Sequence, residues 1–375
     1  MDVPSPSSPG FPLPLVEECA AEVGLQVRGS VRVEKLSESV EKRLDQWLER
    51  GSAGEMGWLP RNRENLLNPQ KWKPWVQGAL LFALPYHRES GGFRNGGSVA
   101  RYALGRDYHN LFGKKLERLG KRLREAGACK RFRAVTDAAP VLEREWAILN
   151  SSGFRGKSTM LLDPHEGPWL ILGELLLDKE VPNWSPFSLL PNCGTCTACL
   201  DDCPTSAFQS PWDLDARKCI SYLTIESRSP IPIEHRQKIG SWVFGCDVCL
   251  EVCPFGSKSP DYAKEWGTLD ALEKLSLEDL LNIPEATFHK LFQGSPIRRA
   301  TWEGLLRNAC VVLGNLGRDS EALQNALGHP SPMVRGHSAW ALGMVKNRPA
   351  LDLARKNERE AWVLHEIESA LETST

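Results

Sequence analysis

Apolar positions in the first half of the chain fall into helical stripes and short continuous runs. Leu15–Leu48 carries helical spacing with many charges, interrupted around Gly29–Ser30. ALLFALPY (Ala79–Tyr86) has the length and continuity of a buried strand, closed by Pro85 and followed by the turn-rich ESGGFRNGG. Leu111–Leu123 is a basic amphipathic helix, and FRAVTDAAP (Phe132–Pro140) alternates like a strand running into a turn. VLEREWAILN is helical, and GPWLILGELLLD (Gly167–Asp178) reads as another apolar strand. Mixed elements through Asp178 predict an α+β or α/β domain. Beyond about Asp270 the strand signals vanish. LLRNACVVLGNLG (Leu305–Gly317) and VRGHSAWALGMV (Val334–Val345) each carry a basic residue, a stripe of small residues and a closing Leu-Gly, with Arg307 and Arg335 28 positions apart. That pattern predicts one or two α-helical HEAT-like hairpins, with an unrelated helical cap as the alternative.

At 375 residues the chain is longer than most single cores sustain, so two or three domains are expected. The net charge of −1 favours no partner class, because local patches matter more than the sum. Thirteen tryptophans against five tyrosines read as bulky core. MDVPSPSSPGFPLP lacks the cationic start and apolar stretch of a signal peptide and reads as a flexible leader over 1–14. No apolar run approaches the ~20 residues of a membrane span, so a cytoplasmic protein is expected. In a reducing compartment, eleven cysteines point to metal ligands before disulfides.

PNCGTCTACLDDCP places Cys193, Cys196, Cys199 and Cys203 in the bacterial ferredoxin run C-x2-C-x2-C-x3-C-P. In that run the first three thiolates wrap one 4Fe–4S cluster and the fourth serves a second. The partner motif is Cys246, Cys249 and Cys253-Pro254, one cysteine short, and Cys219 in RKCISYL completes it. The crossing rule then assigns Cys193, Cys196, Cys199 and Cys253 to one cluster, and Cys203, Cys219, Cys246 and Cys249 to the other. Structural zinc explains paired CxxC motifs but neither the triplet spacing nor the two Cys-Pro endings. Cys19, Cys129 and Cys310 are left over as small buried apolar residues. Two low-potential clusters relay electrons, so a redox centre is expected in the preceding domain. No GxGxxG follows a strand to mark a Rossmann site.

TDAAPVLEREW sets Asp137 at the end of a strand, ahead of a helix. There it is either a proton donor, if burial raises its pKa, or a helix N-cap; elementary chemistry favours the cap. Residues 101–133 hold eleven Arg or Lys against three acidic residues, a stripe suited to phosphates or to solvent. Arg298, Arg299, Arg307 and Arg335 are candidates to extend this basic surface across the C-terminal helices.

Several stretches together resemble the epoxyqueuosine reductases: MGWLPRN, ARYALGRDYHNLFGKKL, TDAAPVLEREWA, GFRGKSTMLL, GPWLILGE, LDARKCISYLTIE, FGCDVCLEVCPF and LLRNACVVLGNLG. They run from about Met56 to Val345. The resemblance implies a cobalamin-binding, nitroreductase-like α/β domain (15–185), a ferredoxin-like domain with two 4Fe–4S clusters (186–265) and a HEAT-like tRNA-binding domain (266–375). It implies reduction of epoxyqueuosine to queuosine at the wobble position of the tRNAs for Asp, Asn, His and Tyr. Electrons would come from an unidentified donor, to a chain that nothing requires to be more than a monomer. Asp137 falls on the family's proton donor, which overturns the cap reading. Cobalamin is held base-off in the family, and none of the eight histidines here sits in a DxHxxG motif. Arg61, Tyr108, His109, Arg144, Lys157, Ser158, Thr159 and Ser221 lie in matching motifs and are assigned to the cobalamin and substrate pocket. The chain departs from the family pattern in DAAPV for DTAPV, GKST for GKN, GPW for GSW and CPFG for CPWN, and in Leu66 for an arginine. A reductive dehalogenase shares the cofactor plan but has no use for a HEAT-like tail. An iron–sulfur electron-transfer protein without cobalamin is the non-enzymatic rival, and a tRNA-binding module without chemistry would leave eight cluster ligands idle.

Overall fold

The computed structural model describes residues 11–373. Residues 1–10 of the expected leader lie outside it, and Leu13 and Pro14 already belong to the first helix, α1 (Leu13–Glu22). The stretch expected to be helical with one interruption is instead α1, a strand β1 (Val27–Arg32), and α2 (Glu38–Glu49). The cause is local: VRGSVR buries four of six residues in the sheet, and Gly29 sits at a bulge where a Cβ would lie 2.0 Å from the Asn150 amide.

The two apolar runs form strands β2 (Gly78–Pro85) and, later in the chain, β6 (Leu170–Leu177). Between them come the hairpin β3 (Gly91–Phe93) and β4 (Gly97–Val99), the 18-residue helix α3 (Tyr108–Glu125), β5 (Phe132–Val135) and α4 (Glu143–Leu149). One sheet has the order β1-β2-β6-β5, antiparallel throughout. Leu80, Phe82, Leu175 and Leu177 point to one face, where Phe112, Leu116, Leu119 and Leu123 of α3 and Val16 of α1 cover them. Ala79, Leu81 and Leu176 point to the other, under Val40 of α2 and Trp146 of α4. With both faces covered, the strands read as continuous apolar runs. Each fully buried leucine contributes roughly 1.5–3 kcal/mol, and α3 adds four large apolar side chains without exposing one of them.

A second sheet, of order β7-β4-β3, joins distant parts of the chain: β7 (Trp242–Phe244) runs parallel to β4. Around it one continuous core extends from Phe93 through Ile220 and Val243 to Leu371. The cysteine-bearing segment therefore packs between the hairpin and the C-terminal helices, as a region too small for a core of its own must. Those helices include α5 (Trp302–Asn315), α6 (Pro332–Met344) and α7 (Ala361–Thr373), each packed on the next. The small-residue stripe permits it: a Cβ on Gly314 would come within 2.9 Å of Ala341, and one on Gly343 within 2.7 Å of Ala370. No helix among the described residues is long and apolar enough to cross a membrane.

Candidate active site and thiol groups

The β5–β6 ladder ends at the Val135–Glu174 pair, and Thr136 Oγ1 donates to Leu172 O at 2.7 Å. The chain then turns sharply at Asp137, in the left-handed region with φ of 55°, a conformation aspartate tolerates better than most side chains. Asp137 is not a helix cap, since Leu142 occupies the N-cap position of α4. Nor is its side chain buried, as the proton-donor argument required: it is 64% exposed. Three groups face it instead. Tyr108 donates its hydroxyl to Asp137 Oδ2 at 2.5 Å, and His109 Nε2 stands 3.9 Å from the same oxygen. His109 Nδ1–H donates to Asp107 Oδ1 at 2.8 Å, which raises the imidazole above its usual range. Arg299, gripped at 2.9 Å by both oxygens of Glu226, completes the setting, with Asp137 and Tyr108 among the charges it senses. An open carboxyl flanked by a phenol, an imidazole and a guanidinium is suited to protonating an oxygen that gains negative charge.

Below this turn lies a pair that sequence reasoning missed. Glu143 Oε1 accepts the Asp137 backbone N–H at 2.8 Å, and its carboxyl is hydrogen-bonded to that of Glu174. Burial, then the Asp137 charge, pushes Glu143 up to about 7; burial and Glu143 raise Glu174 further. The available signal was a lone glutamate inside the apolar strand LILGELLL.

The eight motif cysteines fall into two neighbourhoods. Burial and then the thiols of Cys193, Cys253 and Cys196 push Cys199 up to about 11. Burial raises Cys246, which faces Cys219 and Cys203, and raises Cys249, which faces Cys219 and Cys246. The backbone N–H groups of Tyr222 and Ser221 point at Cys219, opposing the effect of its burial. Cys249 also senses Cys199, so the two neighbourhoods adjoin. Burial and crowding disfavour thiolates here until positive iron offsets the repulsion. Among the described residues no three His, Cys, Asp or Glu side chains are gathered closely enough to hold a metal ion as they stand. Cys19, Cys129 and Cys310 are buried in apolar core, as expected. Tyr102 is buried, with Asp137 and Asp247 both among the charges acting on it. Its ring meets those of Tyr108 and Tyr86 at 6.0 and 6.4 Å.

The remaining candidates divide. Arg144 donates to Thr159 O at 3.1 Å, while Thr159 adopts a φ of 68° and Ser158 is buried. Arg61 is exposed, and Ser221 is half-buried beside Cys219. Lys157 binds the carbonyls of Gly194 and Cys196, both at 2.8 Å, and so anchors the first cysteine loop. Among the expected tRNA-facing arginines, Arg298 is exposed and Arg299 lies near Asp137. Arg307 is a correction: it is 1% exposed and donates to the carbonyls of Leu223, Ser227 and Ser229, welding α5 to the segment after Cys219. Burial lowers it to about 10. Arg335 is largely covered and held by both oxygens of Glu358 and the carbonyls of His329 and Pro330. Sequence gave these four arginines equal standing, but only tertiary packing separates a surface cation from a buried clamp.

Comparison with known proteins agrees with this arrangement. Residues 67–138, ending one residue past Asp137, match the family model described as Epoxyqueuosine reductase QueG, DUF1730; residues 192–256 match a 4Fe-4S double cluster binding domain. An epoxyqueuosine reductase of Pseudomonas aeruginosa is 39% identical over 350 residues, covering 90% of this chain and 96% of the relative. The chain belongs to the epoxyqueuosine reductase family. A solved epoxyqueuosine reductase with a tRNA-Tyr epoxyqueuosine-modified stem loop superimposes with a TM-score of 0.84 at 26% identity, over 96% of this chain and 97% of that one. Another, from Bacillus subtilis, with its aspartate catalytic loop swung out of the active site, gives 0.82 at 28% identity, over 96% and 97%. The match to epoxyqueuosine reductases thus spans the sheet, the cysteine segment and the C-terminal helices together.

Proposed function

We propose that this chain reduces the epoxide of epoxyqueuosine to the alkene of queuosine in the wobble position of tRNA, in the tRNAs for Asp, Asn, His and Tyr. The observation that carries the reading is the open Asp137 carboxyl, with its phenol, imidazole and guanidinium neighbours, and the run of rings Tyr108, Tyr102 and Tyr86 leading from it toward Cys249. Converting an epoxide to an alkene consumes two electrons and two protons and releases water, so a proton donor beside an electron supply is what the reaction requires.

Asp137 protonates the opening oxygen. Tyr108 and His109 hold its carboxyl and keep donors close, and Arg299 stabilises the negative charge that develops there. Cys193, Cys196, Cys199 and Cys253 would hold one 4Fe–4S cluster; Cys203, Cys219, Cys246 and Cys249 would hold the other. The grouping of their thiols supports that division. The residues beside Asp137 suit cobalamin in their chemistry: tyrosine rings lead from Tyr108 through Tyr102 to Tyr86, which senses Cys249, and the acid itself stays open to meet substrate. When bound, cobalamin supplies a low-valent cobalt able to reduce the epoxide carbon. The residues assigned to hold it or the substrate are Arg61, Tyr108, His109, Arg144, Ser158, Thr159 and Ser221. We read the chain as a nitroreductase-like cobalamin domain, a ferredoxin-like domain and HEAT-like C-terminal helices, with the basic face of α3 and Arg298 against the anticodon stem-loop.

The test is direct. Reconstituted protein, cobalamin and a reductant are incubated with tRNA carrying epoxyqueuosine, and the nucleosides are analysed. Queuosine is the expected product; unchanged epoxide, with clusters and cobalamin both present by their spectra, refutes the reading.

A further inference from the structure

Glu143 and Glu174 lie outside the groups assigned to the reaction, yet they contact the Asp137 turn from below. Glu174 projects from the middle of β6, opposite Val135 of β5 and Leu81 of β2, and is 2% exposed. Its Oε2 is buried without a hydrogen-bond partner among the described residues. Beside it is a small cavity of ≈ 10 Å³, about the room one water occupies, lined in part by Arg28, Ser152 and Asp163. Its carboxyl meets that of Glu143. Two carboxylates in hydrogen-bond contact away from solvent cannot both ionise, so one proton stays between them. Glu143 in turn accepts the N–H of the residue whose left-handed backbone aims the acid.

We propose that Glu143 is a positioning residue that holds the Asp137 loop in its inward setting, and that Glu174 keeps Glu143 in place by sharing one proton with it. This rests on the reading of Asp137 as the proton donor, but it concerns the loop and is testable without substrate. On its other side the loop is held by short turn bonds from Ala138 to Thr136 and from Val141 to Ala139, by the part-buried bond to Tyr108, and by Val141, Ala139 and Leu142 packing on the core, so Glu143 is the one side chain that fixes the Asp137 N–H itself. When the shared proton is lost, the two carboxylates repel, Glu143 withdraws and the Asp137 N–H is released. The other charges facing the pair are Asp137, Arg144 and His109 above it, and the Arg28–Asp163 ion pair at 3.0 Å across the cavity. Neither Arg144, tied to Thr159 O, nor Arg28, tied to Asp163, forms a hydrogen bond to either glutamate.

The sign of the pH dependence follows from the raised carboxyls. The closed loop holds a shared proton that the open one releases, and the Glu143 step near 7 still leaves that proton on the pair, so closure weakens only as pH rises beyond about 7 and the last proton leaves. The experiment is hydrogen exchange at Asp137–Ala139 in the cluster- and cobalamin-loaded chain, expressed as protection relative to intrinsic rates, with steady-state kinetics alongside. Glu143→Ala should lower protection roughly tenfold and lower kcat with KM for tRNA little changed. Glu143→Gln, whose amide oxygen still accepts the N–H, should restore both. Wild-type protection should fall about tenfold as pH is raised from about 7 to 9, and Glu174→Gln, which donates without titrating, should flatten that fall. Unchanged protection in Glu143→Ala, or a pH dependence surviving in Glu174→Gln, overturns the proposal. Failure of the wild type to reduce the epoxide, with the loop behaving as described, would instead count against the catalytic reading.

Discussion

The Asp137 turn and the cysteine segment solve opposite problems. The turn carries its acid on an exposed loop, held by one phenol, one backbone N–H and two short turns. The cysteine segment from Cys219 to Cys249 is clasped between a parallel β7–β4 pair and the C-terminal helices, with Arg307 buried as a clamp across the joint, while Cys196 in the first loop is exposed. A group that must meet a bulky substrate needs access and freedom to move, while groups that pass electrons need fixed separations and a dry surround. The same chain therefore places its acid where packing is thin and the inner group of its thiols where packing is thick.

That contrast can be broken most severely at the thiols. Cys246→Ala and Cys253→Ala should each lose about half of the bound iron and all turnover. Combined with Cys196→Ala, Cys253→Ala should lose no further iron; combined with Cys246→Ala, it should lose nearly all. Iron analysis and electron paramagnetic resonance read the outcome, and any other pattern redraws the two ligand sets. Next comes the clamp. Arg307→Met leaves the carbonyls of Leu223, Ser227 and Ser229 without their donor, and should cost roughly 3 kcal/mol in denaturant unfolding. The salt dependence of its tRNA binding should be unchanged, because a buried cation touches no phosphate. The smallest effect belongs to Arg298→Gln, which should fold as the wild type does while its log–log salt slope for tRNA binding falls by about 1. A slope change in Arg307→Met with none in Arg298→Gln would reverse the assignment of the two arginines.

Much of this was legible in the sequence, unevenly and for physical reasons. β2 and β6 announced themselves because strands covered on both faces have no polar alternation to confuse with a loop. β1 did not, since VRGSVR is short, carries arginines at both ends of its last turn of sequence and contains a bulge glycine. The cysteine motifs were legible because cluster geometry dictates spacing along the chain. Charge, by contrast, gives no hint of burial: Arg299 and Arg307 sit eight positions apart, one beside the acid and the other sealed in the core. Asp137 stood out at the end of a strand, but its role as an acid came only through resemblance, and its left-handed backbone and support by Glu143 come from a meeting of β5, β6 and α4 that no local pattern encodes.

The division of labour itself is tested most directly by Asp137→Asn. The amide keeps the size of the side chain and its place above Glu143 but has no acidic proton to give. Loaded with both clusters and cobalamin, the variant should show wild-type spectra and bind tRNA, yet form queuosine at least about 100-fold more slowly. Queuosine formed at the wild-type rate, with the same spectra, would contradict the account and remove Asp137 from the chemistry.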